Sequence, residues 1–274
     1  MRYLPSPHES ARMTPDELRT HFLVSGLFVP GEVRLEMIDL DRVTLGGAVP
    51  LTEPIRLAAP EEFATSSFTE RRELGILNIG GAGTVTVDGA AHSTAKLDMV
   101  YVGRGGHEVT LASADAAAPA RYFLVSYPSH AEYPTLRIAA GDADASDLGA
   151  QATANRRRLA RYIHHGGAHS SQLVMGVTTL HEGSVWNTMP PHTHVRRTEI
   201  YLYFDVPADA VVFHMLGTPD ATQHVVVRDG EVALSPSWSI HAGCGTSSYT
   251  FCWAMGGENQ EFADMQGFDM ITLR

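Results

Sequence analysis

The sequence predicts an all-β protein made of two β-barrels in tandem, with a few short helices. Three observations lead there. From Val33 onward, short runs rich in Val, Ile, Leu, Thr and Tyr alternate with Gly, Pro and Asp. Many short strands with turns at this spacing suit a sandwich or barrel. Asp88-Gly89 and Asp229-Gly230 each close a β-rich run with a hairpin dipeptide. Finally, Arg71-Arg72-Glu73-Leu74-Gly75-Ile76-Leu77 is weakly echoed by Arg196-Arg197-Thr198-Glu199-Ile200-Tyr201-Leu202, one copy in each half.

Taken in order, the chain first shows a helix start. Thr14 and Glu17 have the capping-box spacing and Pro15 occupies the first helical position, so a short helix is expected from Pro15 to Val24, ending near Gly26. Strands follow over Leu74–Ile79, Thr84–Val87, Met99–Val102 and Tyr122–Val125. Residues Asp142–Gly149, rich in Asp, Ala and Gly, read as a linker, which places a first barrel at 1–141 and a second at 150–274. The arginines at 156, 157, 158 and 161 read as a solvated face or an oligomer contact. Strands resume over Leu173–Leu180, Glu199–Phe204, Ala210–Met215, His224–Val227 and Thr250–Ala254.

Composition limits the function. With 44% hydrophobic and 19% charged residues, the 274-residue chain packs as a globule. Asp and Glu total 31 against 20 Lys and Arg, a net charge of −11. Binding to nucleic acid or to an anionic membrane needs the opposite sign, so neither partner is expected. No apolar run approaches a membrane span of ~20 residues, and Met1–Pro7 is not followed by the apolar stretch of a secretory leader. Cys244 and Cys252 cannot make a disulfide framework. A cytoplasmic setting is expected.

The chemistry concentrates in Met189-Pro190-Pro191-His192-Thr193-His194-Val195-Arg196-Arg197-Thr198-Glu199. The prolines exclude a helix interior before the histidines. On an extended segment, residues two apart project from one face, so His192 and His194 can reach one cation. Glu199 would face away on an uninterrupted strand; a turn or bulge through Val195–Thr198 returns it to the same site. Tyr201 and Tyr203 then share its inward face. The pattern His-x-His-x4-Glu is the first cupin signature. Gly230, five residues, then Pro236-Ser237-Trp238-Ser239-Ile240-His241 matches the second, with Trp238 where Gly is usual. His192, His194, Glu199 and His241 therefore form the expected ligand set for one divalent metal, a donor set that suits Zn, Fe, Mn, Co or Ni. The first half has no His pair around Arg72–Gly83, and only His107 nearby, so a metal-free first barrel is expected.

Longer strings resemble one family closely, the 5-keto-4-deoxyuronate isomerases (4-deoxy-L-threo-5-hexosulose-uronate ketol-isomerases). They include Arg71–Gly75, Asn78–Gly83, Gln172–Gly176, Ser184–His194, Phe213-His214-Met215, Ser235–His241 and Gly257-Glu258-Asn259-Gln260. The resemblance runs from about Arg34 to the end; Trp-Asn-Thr-Met-Pro-Pro-His-Thr-His is its most specific string. One departure follows Tyr162-Ile163-His164, where His165-Gly166-Gly167-Ala168-His169 replaces a loop that usually contains Pro and Cys. The resemblance implies a zinc-containing bicupin that forms homohexamers, with His192, His194, Glu199 and His241 holding the metal. The implied reaction belongs to pectin and uronate breakdown. It converts 5-dehydro-4-deoxy-D-glucuronate into 3-deoxy-D-glycero-2,5-hexodiulosonate by moving a carbonyl from C1 to C2.

Such a reaction needs a Lewis acid, a base to move a proton between adjacent carbons, and a group that holds the substrate carboxylate. For the base, the sequence offers Glu199, a metal-bound hydroxide or His214, the last equally at home as a core histidine in the Val211-Val212-Phe213 strand. For the carboxylate it offers Arg196 and Arg197, whose alternative is pairing with surface acids. Trp186, Tyr201 and Trp238 are expected as pocket walls, with core packing the alternative for each. The rival functions are an iron-dependent cupin dioxygenase, a non-catalytic sugar-acid-binding cupin and a structural metal site.

Overall fold

The computed structural model describes residues 1–258, 260–261 and 264–274; Asn259 of the Gly257–Gln260 string lies outside them. The architecture is the expected all-β one, and every strand pairing is antiparallel apart from three isolated bridges. In the C-terminal half, a seven-stranded sheet runs in the order Leu23–Val24, Val232–Ser235, Arg197–Phe204, Thr250–Gly257, Val174–Leu180, Arg157–Ile163, Asp144–Leu148. A four-stranded sheet completes that half with Trp186–Asn187, Ala242–Gly245, Val212–Thr218 and Ala221–Val227. In the N-terminal half, a six-stranded sheet centred on Arg72–Asn78 and Tyr122–Pro128 accompanies a four-stranded sheet centred on Val109–Ser113 and Gly83–Val87. Asp88 and Gly89 turn the Gly83–Val87 hairpin with φ of 48° and 82°. Such a turn demands positive φ at both central residues, which Gly adopts freely and Asp tolerates.

The two large sheets are buried on both faces, and this decides the texture of their strands. In Arg197–Phe204, Ile200, Leu202 and Phe204 pack into a core shared with Leu77, Phe123 and Val125 of the other half. Tyr201 and Tyr203 point the other way, into a second core with Phe251, Trp253 and Met255 inside the C-terminal barrel. Leu74, Ile76, Val85 and Leu124 fill a third core inside the N-terminal barrel. Period-2 alternation thus sorts large side chains between two interiors, so these strands read as continuous apolar runs rather than alternating ones.

Two sequence expectations are corrected. The helix spans Pro15–Phe22 with the expected Thr14–Glu17 capping box, but Leu23 is extended (φ −118°, ψ 130°) and Leu23–Val24 pairs with Ala233 and Val232. Leu18, Phe22 and Leu23 pack into the C-terminal barrel's core, so this stretch, assigned by sequence to residues 1–141, joins the second half. An amphipathic helix shows that it will be buried on one face but not against which sheet. The supposed linker 142–149 contains the strand Asp144–Leu148, which pairs with Arg157–Ile163 at a sheet edge. Its exposure explains its polar composition. Among the described residues, no helix is long and apolar enough to cross a membrane.

Candidate metal centre

The short strand His192–Thr193 pairs with Gln266–Gly267 and sets His192 and His194 on one face. The chain then turns, with the Arg197 N–H donating to the His194 carbonyl at 3.1 Å, and enters the strand Arg197–Phe204. That turn through Val195 and Arg196 returns Glu199 to the histidines. His241 arrives from a distant segment, between Val232–Ser235 and Ala242–Gly245.

These side chains converge. Nε2 of His192 lies 3.2 Å from Nε2 of His194 and 3.0 Å from Nε2 of His241. Oε2 of Glu199 lies 2.7 Å from Nε2 of His241 and 3.1 Å from Nε2 of His194. The four ligand atoms all fall within 4.8 Å of one another. Despite these contacts, the buried Glu199 Oε2 has no hydrogen-bond partner. A buried carboxylate oxygen left without a hydrogen bond among three imidazole nitrogens suits a group that could hold a metal ion. The tautomers agree: Nδ1–H of His194 donates to the Asp264 carbonyl at 2.7 Å, which leaves the Nε2 lone pair facing inward. Burial, with His241 beside it, lowers the His192 imidazole to about 3, so near neutrality it is uncharged and able to ligate. Burial alone would raise the Glu199 carboxyl, but His241 and His194 outweigh it and hold the group well below its ordinary range. Three imidazoles and one carboxylate are a donor set that fits a divalent cation.

The cluster opens onto a cavity of about 250 Å³ lined by His192, His194 and Glu199. Its floor is the inner face of four neighbouring strands. Tyr201 stands beside Trp253, Phe251 beside Thr178, and Thr178 beside Leu159. The Trp253 indole covers Gly176, where an added Cβ would sit 2.2 Å from the ring, and its Nε1–H donates to Thr178 Oγ1 at 3.1 Å. Tyr201 Oη meets Thr188 Oγ1 at 3.1 Å, and burial raises the Tyr201 phenol well above its ordinary value.

Several expected side chains stand elsewhere. His214 is fully buried and outside the cavity lining; its Nδ1 meets Tyr203 Oη at 2.8 Å and its Nε2 meets Ser235 Oγ at 3.3 Å. Both ring nitrogens are spent on structure, so His214 is the core histidine of the two readings. Arg196 is exposed and forks onto Glu258 at 2.7 and 2.6 Å. Arg197 is buried behind His194, where its Nη2 donates to the Asp264 carbonyl at 3.4 Å, and it does not line the cavity. Trp238 packs edge-on against Phe22, with ring centroids 6.2 Å apart. Trp186 pairs with Cys244 on the four-stranded sheet while its neighbour Asn187 is fully buried; neither Trp186 nor Trp238 reaches the cavity lining. Of the expected walls, Tyr201 alone is in place.

Sequence reasoning passed over Trp253, Arg157 and the segment Asp264–Gly267. The alternation of Phe251, Trp253 and Met255 was a usable signal, since all three line the cavity. Arg157, read as part of a surface run, lines it as well. Nothing in the sequence marks Asp264 and Gln266 as supports for His194 and Val195, yet Gln266 Oε1 accepts from the Val195 N–H at 3.0 Å.

Comparison with known proteins agrees with this geometry. The family described as KduI/IolB matches residues 29–270. Across the whole chain and 99% of each relative, identity is 51% to a protein of Kineococcus radiotolerans and 51% to one of Opitutus terrae, both named 4-deoxy-L-threo-5-hexosulose-uronate ketol-isomerase. Among solved structures, an IolB-like protein of Salmonella typhimurium LT2 superposes with a TM-score of 0.75, covering 90% of this chain and 96% of that one at 13% identity. A variant of Bacillus subtilis oxalate decarboxylase gives a TM-score of 0.61 over 87% and 78%, at 10% identity. Those two likenesses speak to the fold alone. The family match and the full-length relatives at 51% identity place this chain in the KduI/IolB family.

Proposed function

We propose that the chain is a metal-dependent ketol-isomerase that converts 5-dehydro-4-deoxy-D-glucuronate into 3-deoxy-D-glycero-2,5-hexodiulosonate. The observation that carries this reading is the convergence of His192, His194, Glu199 and His241 at a cavity large enough for a small sugar acid. Its support outside the site is the name borne by relatives that match along the full chain.

Substrate and product are isomers. A proton leaves C2, the C1 aldehyde becomes a primary alcohol, and the C2 hydroxyl becomes a ketone, with no external oxidant or reductant. When bound, a divalent cation supplies Lewis acidity to the oxygens on C1 and C2, worth several kcal/mol, and each ~1.4 kcal/mol is tenfold in rate. His192, His194, Glu199 and His241 would hold the cation, and zinc is the ion we assign to this donor set. Glu199, kept ionised by its imidazole neighbours, stands where a base is needed and is our candidate to carry the proton between the two carbons. Tyr201, protonated and on the same strand face, presents a hydroxyl to the sugar oxygens. Trp253 and Phe251 exclude water from the floor of the cavity.

The rest of the reading is a homohexamer in the cytoplasm serving pectin and uronate breakdown, with residues up to 141, apart from the 15–24 stretch that packs on the other half, forming a metal-free barrel and 150–274 the metal-bearing one. It rests on family resemblance; size-exclusion chromatography with light scattering tests the assembly. The activity is tested by incubating metal-assayed protein with the substrate without oxygen and following the product by NMR. Conversion with no redox change is expected. Turnover that requires oxygen would establish a dioxygenase instead, and tight binding without conversion a non-catalytic cupin.

A further inference from the structure

A sugar acid of this kind reacts at C1 and C2 but carries its charge at C6, the far end of the carbon chain. A group that recognises the carboxylate must therefore share the cavity with the metal-ligand cluster and yet stand away from it. We propose that the Arg157 guanidinium binds the substrate carboxylate and so sets which end of the sugar meets Glu199 and the histidines. This inference rests on the sugar-acid isomerase reading given above.

Four observations carry it. Arg157 is the one permanently cationic side chain among the described residues that line the cavity. It lies three strands from Glu199, in the sheet order Arg197–Phe204, Thr250–Gly257, Val174–Leu180, Arg157–Ile163. Alternation along its strand puts Arg157 and Leu159 on the cavity face and the exposed Arg158 on the other. Arg161, farther along, is committed to Asp144 at 2.9 Å. Arg157 has no such commitment: its Nη1 donates to the Asn155 carbonyl at 2.8 Å, and no carboxylate lies within ion-pair distance among the described residues.

A half-buried arginine without a counter-ion is costly in isolation, the more notable in a chain of net charge −11 that has anions to spare. A guanidinium keeps several N–H donors in a planar fork, and one bond to a backbone carbonyl leaves enough for a bidentate grip on a carboxylate. The cation is thus kept in place by Asn155 and left unneutralised at the wall that the C6 end of the substrate would reach.

The test compares wild type with Arg157→Met and Arg157→Lys, each assayed for metal per chain. Two probes are used: the sugar acid itself and the neutral 4-deoxyhexos-5-ulose, which has a hydroxymethyl group at C6. For the acid, Arg157→Met should raise KM roughly tenfold to a hundredfold with kcat changed little, because the carboxylate contact is the same in ground and transition states. For the neutral sugar the variant should match wild type, and Arg157→Lys should recover part of the loss. A purely structural role would lower activity on both probes alike and would overturn the proposal. Equilibrium binding of the acid is measured beside turnover. If wild type converts neither probe, the isomerase reading fails, and the binding arm still decides on Arg157. Unchanged affinity for the acid in Arg157→Met would place the carboxylate elsewhere.

Discussion

The two halves present the same strand motif and put it to opposite uses. In the N-terminal half, Arg71-Arg72-Glu73-Leu74 enters a central strand, and Glu73 is fully buried facing the other half. There it accepts the N–H groups of Ser171, Gln172 and Leu173 at 2.7, 2.8 and 2.8 Å and the Tyr101 hydroxyl at 2.8 Å. In the C-terminal half the aligned position is Thr198, which also reaches across, donating to Asp41 Oδ2 at 2.7 Å. One residue later the faces reverse. Leu74 points into an apolar interior with Ile76 and Val85, whereas Glu199 points at three histidines. Because strand side chains alternate, a carboxylate one position earlier is a clasp between halves and one position later joins a cluster that could hold a metal ion.

The sharpest way to break this comparison is to remove the ligand set. His192→Ala or His241→Ala should abolish metal binding and lower turnover at least about a thousandfold, the loss of several kcal/mol of Lewis-acid stabilisation. The interior of the N-terminal half should stay folded, which hydrogen exchange over Leu74, Ile76 and Leu124 would report. Full turnover in either variant, or in wild type after chelation, would separate the cluster from the chemistry. The next effect lies in the clasp. Glu73→Ala strands three backbone N–H donors and a phenol, and should cost about 3 to 5 kcal/mol in denaturant unfolding. Its folded fraction should keep full metal content. A loss of metal at unchanged stability would mean the two carboxylates are not independent.

A smaller effect is expected at the aligned threonine. Thr198→Val keeps shape but removes the hydrogen bond to Asp41, whose carboxyl burial already pushes upward. A cost of about 2 kcal/mol is expected, the worth of one hydrogen bond to a charged partner. A neutral substitution would show that Thr198 does not tie the halves together.

What the sequence reveals follows from how local each constraint is. The candidate ligands are legible because a histidine pair, a carboxylate five positions beyond it and a distant histidine in a turn motif form a pattern that packing alone does not demand. The cavity walls are not, because the strands behind them are buried on both faces. In Phe251-Cys252-Trp253-Ala254-Met255 every residue is buried, and only the pairing of Tyr201 with Trp253 and of Glu199 with Met255 reveals which three face the site. Trp186 and Trp238 are nearer the cluster in sequence, yet one sits beside a buried Asn187 and the other packs edge-on against Phe22 of the helix. The arginines failed as a guide for the same reason. Arg196 and Arg197 flank the cluster along the chain but do not line the cavity, while Arg157 reaches it from another strand. Strand order, which no local pattern encodes, made the difference.

The mildest prediction concerns the buried imidazole behind the site, for which the N-terminal interior of Leu74, Ile76 and Val85 has no counterpart. Burial, with His241 next in effect, lowers His214 from 6.5 to about 3. The unfolded chain therefore takes up a proton near pH 6.5 and the folded chain only near pH 3. Between those values the unfolded state binds more protons at this group, so its contribution to stability is present above pH 6.5 and is lost as pH falls through the window. The expected slope is about 1.4 kcal/mol per pH unit for one proton. His192, lowered to about 3 in the same direction, adds its own share in metal-free protein. His214→Asn should be less stable at neutral pH, since Tyr203 and Ser235 lose a well-fitted partner. Its stability should nevertheless fall less steeply than wild type between pH 6.5 and 4.5, where carboxylates are still mostly ionised. Urea unfolding of both metal-free proteins across that range reads the two slopes directly, and parallel slopes would mean that His214 takes up its proton as readily folded as unfolded.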